Sequence, residues 1–258
     1  MSAMRALAAL IAFAAITGTL IPVQWMAVRL RLSLRRIIPV FYHRIVCRLL
    51  GVRISVVGEM CAGRPLLIAA NHVSWIDICV LTALAPVVFV AKREVASWPL
   101  FGLLARLQRS VFVDRERPGR TAEVNREIAE RLTDGDPVVL FAEGTSSDGN
   151  RVLAFRSSLL GAAHAALDAS DGLVSVQPMA IAYTRLDGLP AGRQHRPRVA
   201  WYGAMELFPH LLGVLRRGAI DVTVSWGEPV ACDAATDRKA LARQLEANTR
   251  AMATRALR

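Results

Sequence analysis

Hydrophobic and polar positions divide the chain into a charge-free head, a basic amphipathic stretch and a long region of alternating short apolar runs and helix-period segments. No formal charge falls between Arg5 and Arg29. A helix over residues 6–28 would extend roughly 34 Å at about 1.5 Å per residue, long enough to cross a hydrocarbon core. Thr17, Gly18, Thr19, Pro22 and Gln24 weaken its second half and leave a kinked or half-inserted helix open. A cleaved signal peptide is the alternative, with Arg5 as its basic start and residues 6–16 as its apolar core. The apolar run continues to Val28 without a small-x-small site before a polar start, so an anchor is expected. Next come Arg29, Arg31, Arg35, Arg36, Arg44 and Arg48, set among Leu, Ile, Val, Phe and Tyr, with no acid before Glu59. That pattern predicts a basic interfacial helix over residues 30–50 whose arginines reach lipid phosphates, and it places the following domain on the cytoplasmic side.

Beyond residue 50 the periodicity predicts strands at 53–57, 65–70, 87–91, 111–115, 137–142, 174–183, 198–202 and 220–226. Helices are predicted at 74–83, from about 97, and at 121–132, 155–167, 207–215 and from 236 to the C-terminus. Such alternation implies a single α/β domain over 51–258 with a mixed or parallel sheet flanked by helices, preceded by a membrane-anchoring and interfacial segment over 1–50. Several strands end in polar residues, among them Lys92-Arg93-Glu94 and the loop Glu143-Gly144-Thr145-Ser146-Ser147-Asp148-Gly149-Asn150. Loops at strand carboxyl ends are where α/β sheets build sites.

One such loop carries the segment Asn71-His72-Val73-Ser74-Trp75-Ile76-Asp77. Ser74 followed by Asp77 has the form of a helix start, with a serine cap and an acid in the first turn. In a continuous helix His72 and Asp77 would lie roughly 140° apart around the axis, so they meet only if His72 precedes the helix. The carboxylate then approaches one imidazole nitrogen and the other is free to take a proton from a substrate hydroxyl, the base-and-orienter half of a hydrolase triad. The nucleophile has to come from the substrate. A plainer alternative has Asp77 completing a cap with Ser74 and His72 satisfied by backbone.

The 53% hydrophobic content and mean hydropathy of +0.35 point to contact with lipid. A net charge of +11 and a pI near 10.8 imply an anionic partner: nucleic acid, an anionic membrane, or an acidic substrate or carrier. The apolar content among the N-terminal arginines favours the membrane over nucleic acid, and no nucleic-acid partner is expected. Cys47, Cys61, Cys79 and Cys232 are scattered without metal-ligand spacing, so reduced thiols and no metal are expected. A non-catalytic protein that binds anionic lipid through its arginines is the competing class.

With these residues assembled, the chain resembles the membrane glycerolipid acyltransferases, the lysophosphatidate acyltransferase superfamily. Asn71-His72 with Asp77 matches its N-H-x-x-x-x-D block; Lys92, Glu94, Pro99 and Gly102 resemble its K-x-E…P-x-x-G segment. The run 111–115, ending in Arg115, is similar to its second block, and Phe141-Ala142-Glu143-Gly144-Thr145 to its F-P-E-G-T-R-S block. Residues 174–180, with Pro178, are similar to the fourth. The resemblance implies that His72 deprotonates a lysolipid hydroxyl and Asp77 orients His72. The hydroxyl attacks an acyl thioester of acyl carrier protein or coenzyme A, a co-substrate, with no resident cofactor. Asn71, Glu143, Gly144, Thr145 and Ser146 are implied in the acceptor site, and Lys92 and Arg115 in holding anionic groups. No G-x-S-x-G nucleophile elbow is present, in keeping with direct transfer. Ser146 stands where the family block carries arginine, which puts lysophosphatidate in doubt. The wording around Arg151 and Phe155-Arg156-Ser157-Ser158, with Trp201-Tyr202-Gly203 and residues 226–230, is more similar to bacterial lyso-ornithine lipid O-acyltransferases. Arg151 or Arg156 is then a candidate substitute for the missing arginine. Enzymes of this kind work at the bacterial inner membrane.

Overall fold

The computed structural model describes residues 3–113, 121–167, 170 and 172–258. Among these residues nine strands form one sheet in the order β1 (Val52–Val57), β8 (Ile220–Trp226), β6 (Val174–Leu186), β2 (Leu66–Ala70), β5 (Val138–Phe141), β3 (Val88–Lys92) and β4 (Val111–Val113), while β7 (Leu189–Pro190) and β9 (Val230–Cys232) pair with β6. β6, β2, β5, β3 and β4 are mutually parallel, and β8, β7 and β9 run antiparallel to β6. The carboxyl ends of the five parallel strands therefore share one edge of the sheet, and the loops after β2, β3 and β5 meet there. This is the mixed α/β architecture that the alternating pattern predicts.

Every residue of β2 is buried because helices cover both sheet faces. Leu66, Ile68 and Ala70 enter one core with α1 (Ala3–Arg29), α2 (Leu34–Leu50), α3 (Ile76–Leu84) and α7 (Leu207–Arg216). Leu67 and Ala69 enter the other with α5 (Thr121–Thr133), α6 (Gly161–Ala165) and α8 (Arg238–Ala256). Each leucine or isoleucine so buried contributes on the order of 2 kcal/mol, which pins β2 and the loop it carries.

The division expected at residue 50 is not a division of the packing. Ala6 and Ala9 of α1 and Tyr42, Val46, Cys47 and Leu50 of α2 belong to the first core. Thr17 Oγ1 lies 2.9 Å from Tyr42 Oη, and Gln24 Nε2 donates to the carbonyl of Leu107 at 2.9 Å, where α4 (Phe101–Leu107) ends. One side of α1 is thus tied to the domain, and Leu7, Ile11, Val23, Trp25 and Met26 remain exposed on it. The basic helix forms as expected, with two of its arginines otherwise engaged. Arg36 pairs with the buried Asp136 at 2.7 Å, and Arg44 donates through Nε to the Ala83 carbonyl at 2.9 Å.

Other departures are local. The segment at 155–167 is a 3₁₀ turn, Ser157–Leu160, followed by the short α6 beginning at Gly161. The helix expected from 97 is likewise divided into a 3₁₀ turn, Arg93–Ser97, and α4, because Pro99 lies between them. Gly102 lets the two pack closely; a Cβ there would lie 2.4 Å from the Ala96 carbonyl oxygen. The strand expected at 198–202 does not form: a 3₁₀ turn covers Arg196–Arg198, and the Trp201 N–H bonds the Val73 carbonyl at 2.9 Å instead of entering a ladder.

Candidate active site

β2 ends at Ala70, and the backbone N–H of Ala142 donates to its carbonyl at 2.9 Å, which holds the loop after β5 beside it. Asn71 then fixes the turn: its side chain donates to the Ile181 carbonyl at 3.0 Å and accepts the Ile181 N–H at 2.8 Å. The amide is spent on β6, so Asn71, which the resemblance implies in the acceptor site, sets the direction of the chain entering His72.

His72 Nδ1 lies 2.8 Å from Asp77 Oδ2. The same oxygen accepts the N–H groups of Val73 at 2.7 Å and Ser74 at 3.0 Å, and Oδ1 accepts the Tyr183 hydroxyl at 2.6 Å. Asp77 therefore caps α3 backwards. The expected serine cap is not made: the buried Ser74 Oγ has no partner among the described residues. Because a carboxylate only accepts, Nδ1 carries the hydrogen and the lone pair rests on Nε2. No partner for Nε2 is found among the described residues, and the His72 side chain is 17% exposed. The ring stacks on Phe141 with centroids 3.9 Å apart and planes 16° from parallel.

Glu143 is buried and braces the loop. One oxygen accepts the His72 N–H at 3.2 Å and the other the Leu153 N–H at 2.8 Å. Burial pushes its carboxyl up to about 8, against the lowering effect of those two bonds. Its expected role at the acceptor is replaced by a structural one, because both oxygens face backbone. A raised carboxyl pKa means that the folded state binds the proton more tightly than the unfolded chain. The stability it confers is complete below the unfolded value and is lost as pH rises from about 4.5 to about 8. Glu143→Gln presents an N–H₂ to a backbone N–H and is expected to lower stability by about 1–3 kcal/mol. Denaturant unfolding at a series of pH values should also show a flatter pH dependence over that window than the parent.

His72 opens into a cleft of about 510 Å³, within the usual range for a ligand site. Its walls are largely apolar: Leu10 and Phe13 of α1, Val46 and Leu49 of α2, Leu104 of α4 and Leu211 of α7. Lys92, Gly144, Thr145 and Ser146 line the same cleft, together with Glu94, Trp98 and Trp201. Gly144 has φ 71°, and a Cβ there would meet the Arg156 side chain at 3.0 Å, so the tight turn after β5 requires glycine.

Arg151 lies elsewhere, in a separate polar groove of about 460 Å³ with Asn150 and Arg250. The Asp148 carboxylate accepts the Asn150 N–H at 3.0 Å, and the turn this closes carries Arg151 away from the His72 cleft. Arg151, a candidate substitute for the missing arginine, does not line the His72 cleft. Arg115 falls outside the described residues.

Two features were missed in the sequence. Tyr183 sits 106 residues from Asp77, and an aromatic within an apolar strand gives no sign of its hydroxyl's partner. The apolar cleft arises only when α1 and α2 fold back over α4 and α7. Chemically, the assembled groups offer a base held by an anion, at the mouth of a compartment suited to a hydrocarbon chain.

Known proteins similar to this chain are acyltransferases. Residues 53–182 match the family model described as Acyltransferase. The lyso-ornithine lipid O-acyltransferase of Brucella abortus (strain 2308) is 55% identical over 247 residues, covering 95% of this chain and 92% of that protein. The lyso-ornithine lipid O-acyltransferase of Rhizobium meliloti (strain 1021) is 53% identical, covering 93% and 82%. The 1-acyl-sn-glycerol-3-phosphate acyltransferase of Neisseria meningitidis (serogroup B, strain MC58) is 36% identical over 121 residues, 44% of this chain and 46% of that one. The crystal structure of the 1-acyl-sn-glycerophosphate acyltransferase of Thermotoga maritima superposes with a TM-score of 0.68 over 99% of this chain and 97% of that chain, at 21% identity, a likeness of fold.

Proposed function

The chain belongs to the acyltransferase family and is an enzyme that transfers acyl groups, and from that premise we propose that it acylates the hydroxyl of a lysolipid, with lyso-ornithine lipid preferred over lysophosphatidate. The observation that carries the reading is the His72–Asp77 pair at 2.8 Å beside an apolar cleft. Nε2 of His72 takes the proton of the acceptor hydroxyl as that oxygen attacks the thioester carbonyl carbon. Asp77 holds the Nδ1–H and offsets the positive charge that forms on the ring. The tetrahedral adduct collapses with cleavage of the carbon–sulfur bond, and the imidazolium returns its proton to the departing thiolate. Ester and free thiol result, and no covalent acyl-enzyme is required. The fatty chain of the donor occupies the cleft between α1, α2, α4 and α7. The donor is a phosphopantetheine thioester, on acyl carrier protein or coenzyme A.

The exposed apolar side of α1 and the exposed Arg29, Arg31 and Arg48 fit a protein seated on an anionic leaflet, with α1 immersed along its outer side and the sheet edge at headgroup depth. We place it at the cytoplasmic face of the inner membrane. Preference for the ornithine headgroup rests on Ser146 in the cleft, where a phosphate-binding arginine stands in the resembled block, together with the two relatives above 50% identity. In detergent, with acyl carrier thioester and each acceptor in turn, wild-type kcat/KM is expected to favour lyso-ornithine lipid by about 10-fold or more, and Ser146→Arg to narrow or invert that ratio; one charged contact is worth this much. Wild-type turnover on lysophosphatidate alone would reject the acceptor assignment.

A further inference from the structure

We propose that Tyr183 is a positioning residue of the transfer reaction: its phenol holds the second oxygen of Asp77 and so sets how strongly His72 binds a proton. This rests on the reading of His72 as the base. The two oxygens of Asp77 have separate tasks. Oδ2 serves the catalytic loop, taking His72 Nδ1–H and the N–H groups of Val73 and Ser74, and Oδ1 takes the Tyr183 hydroxyl at 2.6 Å. Asp77 is wholly buried and Tyr183 is 3% exposed, so water does not compete for this bond. A charge-assisted O–H···O⁻ bond in so dry a place draws negative charge toward Oδ1 and away from the oxygen facing His72.

The placement is rigid because one stretch of β6 holds both ends of the loop. Ile181 takes both hydrogen bonds of the Asn71 side chain, immediately before His72, and Tyr183, on the same face two residues on, takes Asp77, five residues after it. β6 is itself paired with β2 on one side and β8 on the other. The carboxylate cannot turn about its last torsion without leaving either a buried phenol or two backbone N–H groups unpaired. Other titratable or charged groups face this pair from every side: Glu143 after β5, bonded to the His72 N–H; Lys92 and Glu94 at the cleft mouth; Cys79 on α3; Cys47 and His43 on α2. Among these and the other described residues, Tyr183 is the side chain whose hydrogen bond to Oδ1 is seen.

Tyr183→Phe tests this, assayed beside wild type for kcat and KM of both substrates across pH, with melting temperature in parallel. Removing the donor concentrates charge on the Asp77 carboxylate and favours the imidazolium, so the acidic limb of kcat/KM should move up by about half to one pH unit. We expect kcat to fall about 10- to 100-fold with both KM values within about twofold of wild type. An unmoved limb, with only the melting temperature lowered, overturns the proposal. Should Tyr183→Phe not fold, 3-fluorotyrosine incorporated into a Tyr42→Phe, Tyr202→Phe chain labels Tyr183 alone, since the chain has three tyrosines. The more acidic phenol donates more strongly, and the limb should move down relative to the same chain with ordinary tyrosine; no movement overturns the proposal. Transfer by wild type with an unmoved limb sinks this inference alone, whereas absence of transfer by wild type sinks the reading on which it rests.

Discussion

His72→Ala is expected to lower kcat for acyl transfer on the order of 10³-fold, with KM for the thioester little changed and association with anionic vesicles intact. The size follows from the ring's position. Its Nδ1 is held at 2.8 Å by Asp77 and its Nε2 is without a protein partner among the described residues, so alanine removes the group that takes the acceptor's proton. A loss of that order corresponds to about 4 kcal/mol in the barrier. The apolar cleft and the exposed apolar side of α1 remain, so binding of the hydrocarbon chain and of the membrane should persist. Thioester consumption in detergent, paired with vesicle flotation, separates the two outcomes. Unchanged turnover would return the chain to the class of passive lipid binders.

Asp77→Asn is expected to be at least as damaging to turnover, about 10³- to 10⁴-fold, and to reduce stability as well. The carboxylate accepts four hydrogen bonds, from His72 Nδ1, the N–H groups of Val73 and Ser74, and the Tyr183 hydroxyl. An amide accepts on one side only. If its oxygen keeps the loop N–H groups, its N–H₂ meets the Tyr183 hydroxyl; if it keeps Tyr183, its N–H₂ faces three donors and His72 adopts the wrong tautomer. Either arrangement leaves buried donors unmet, about 1–3 kcal/mol for each group left so. Kinetics and denaturant unfolding on the same preparation should therefore both move for Asp77→Asn, whereas His72→Ala, at a partly exposed position, should move chiefly the kinetics. Comparable unfolding midpoints for Asp77→Asn and wild type would contradict the assigned network.

The pairing of His72 with Asp77 is legible in the sequence alone. His72 and Asp77 are five apart, and a strand–loop–helix start suffices to bring them together, so local pattern was enough. β2 was equally legible, because a run buried on both faces is continuously apolar. Contacts that depend on which strands become neighbours could not be read: Tyr183 against Asp77, Asn71 against Ile181, and Glu143 bridging His72 to Leu153. For Asn71 and Glu143 the block pattern pointed to the right neighbourhood and the wrong task, since a polar residue at a strand end serves backbone as readily as substrate. Arg36 and Arg44 show the same limit at the membrane end, where a basic amphipathic period does not reveal which arginines the domain claims with Asp136 or a helix carbonyl. The strand expected at 198–202 met the same limit of local pattern: its Val, Trp and Tyr fit a pleated surface, but the Trp201 N–H goes to the Val73 carbonyl of the catalytic loop, a partner distant in the sequence.

In direct transfer the acceptor's own oxygen, activated by His72, attacks the thioester with no acyl-enzyme between. Rapid-mixing measurement of thiol release from an acyl carrier thioester, with enzyme at substrate concentration and with or without lyso-ornithine lipid, tests it most directly. Stoichiometric thiol release and diacyl lipid are expected only when the acceptor is present. A burst of thiol equal to the enzyme concentration in the acceptor's absence, with label fixed to the protein, would contradict direct transfer.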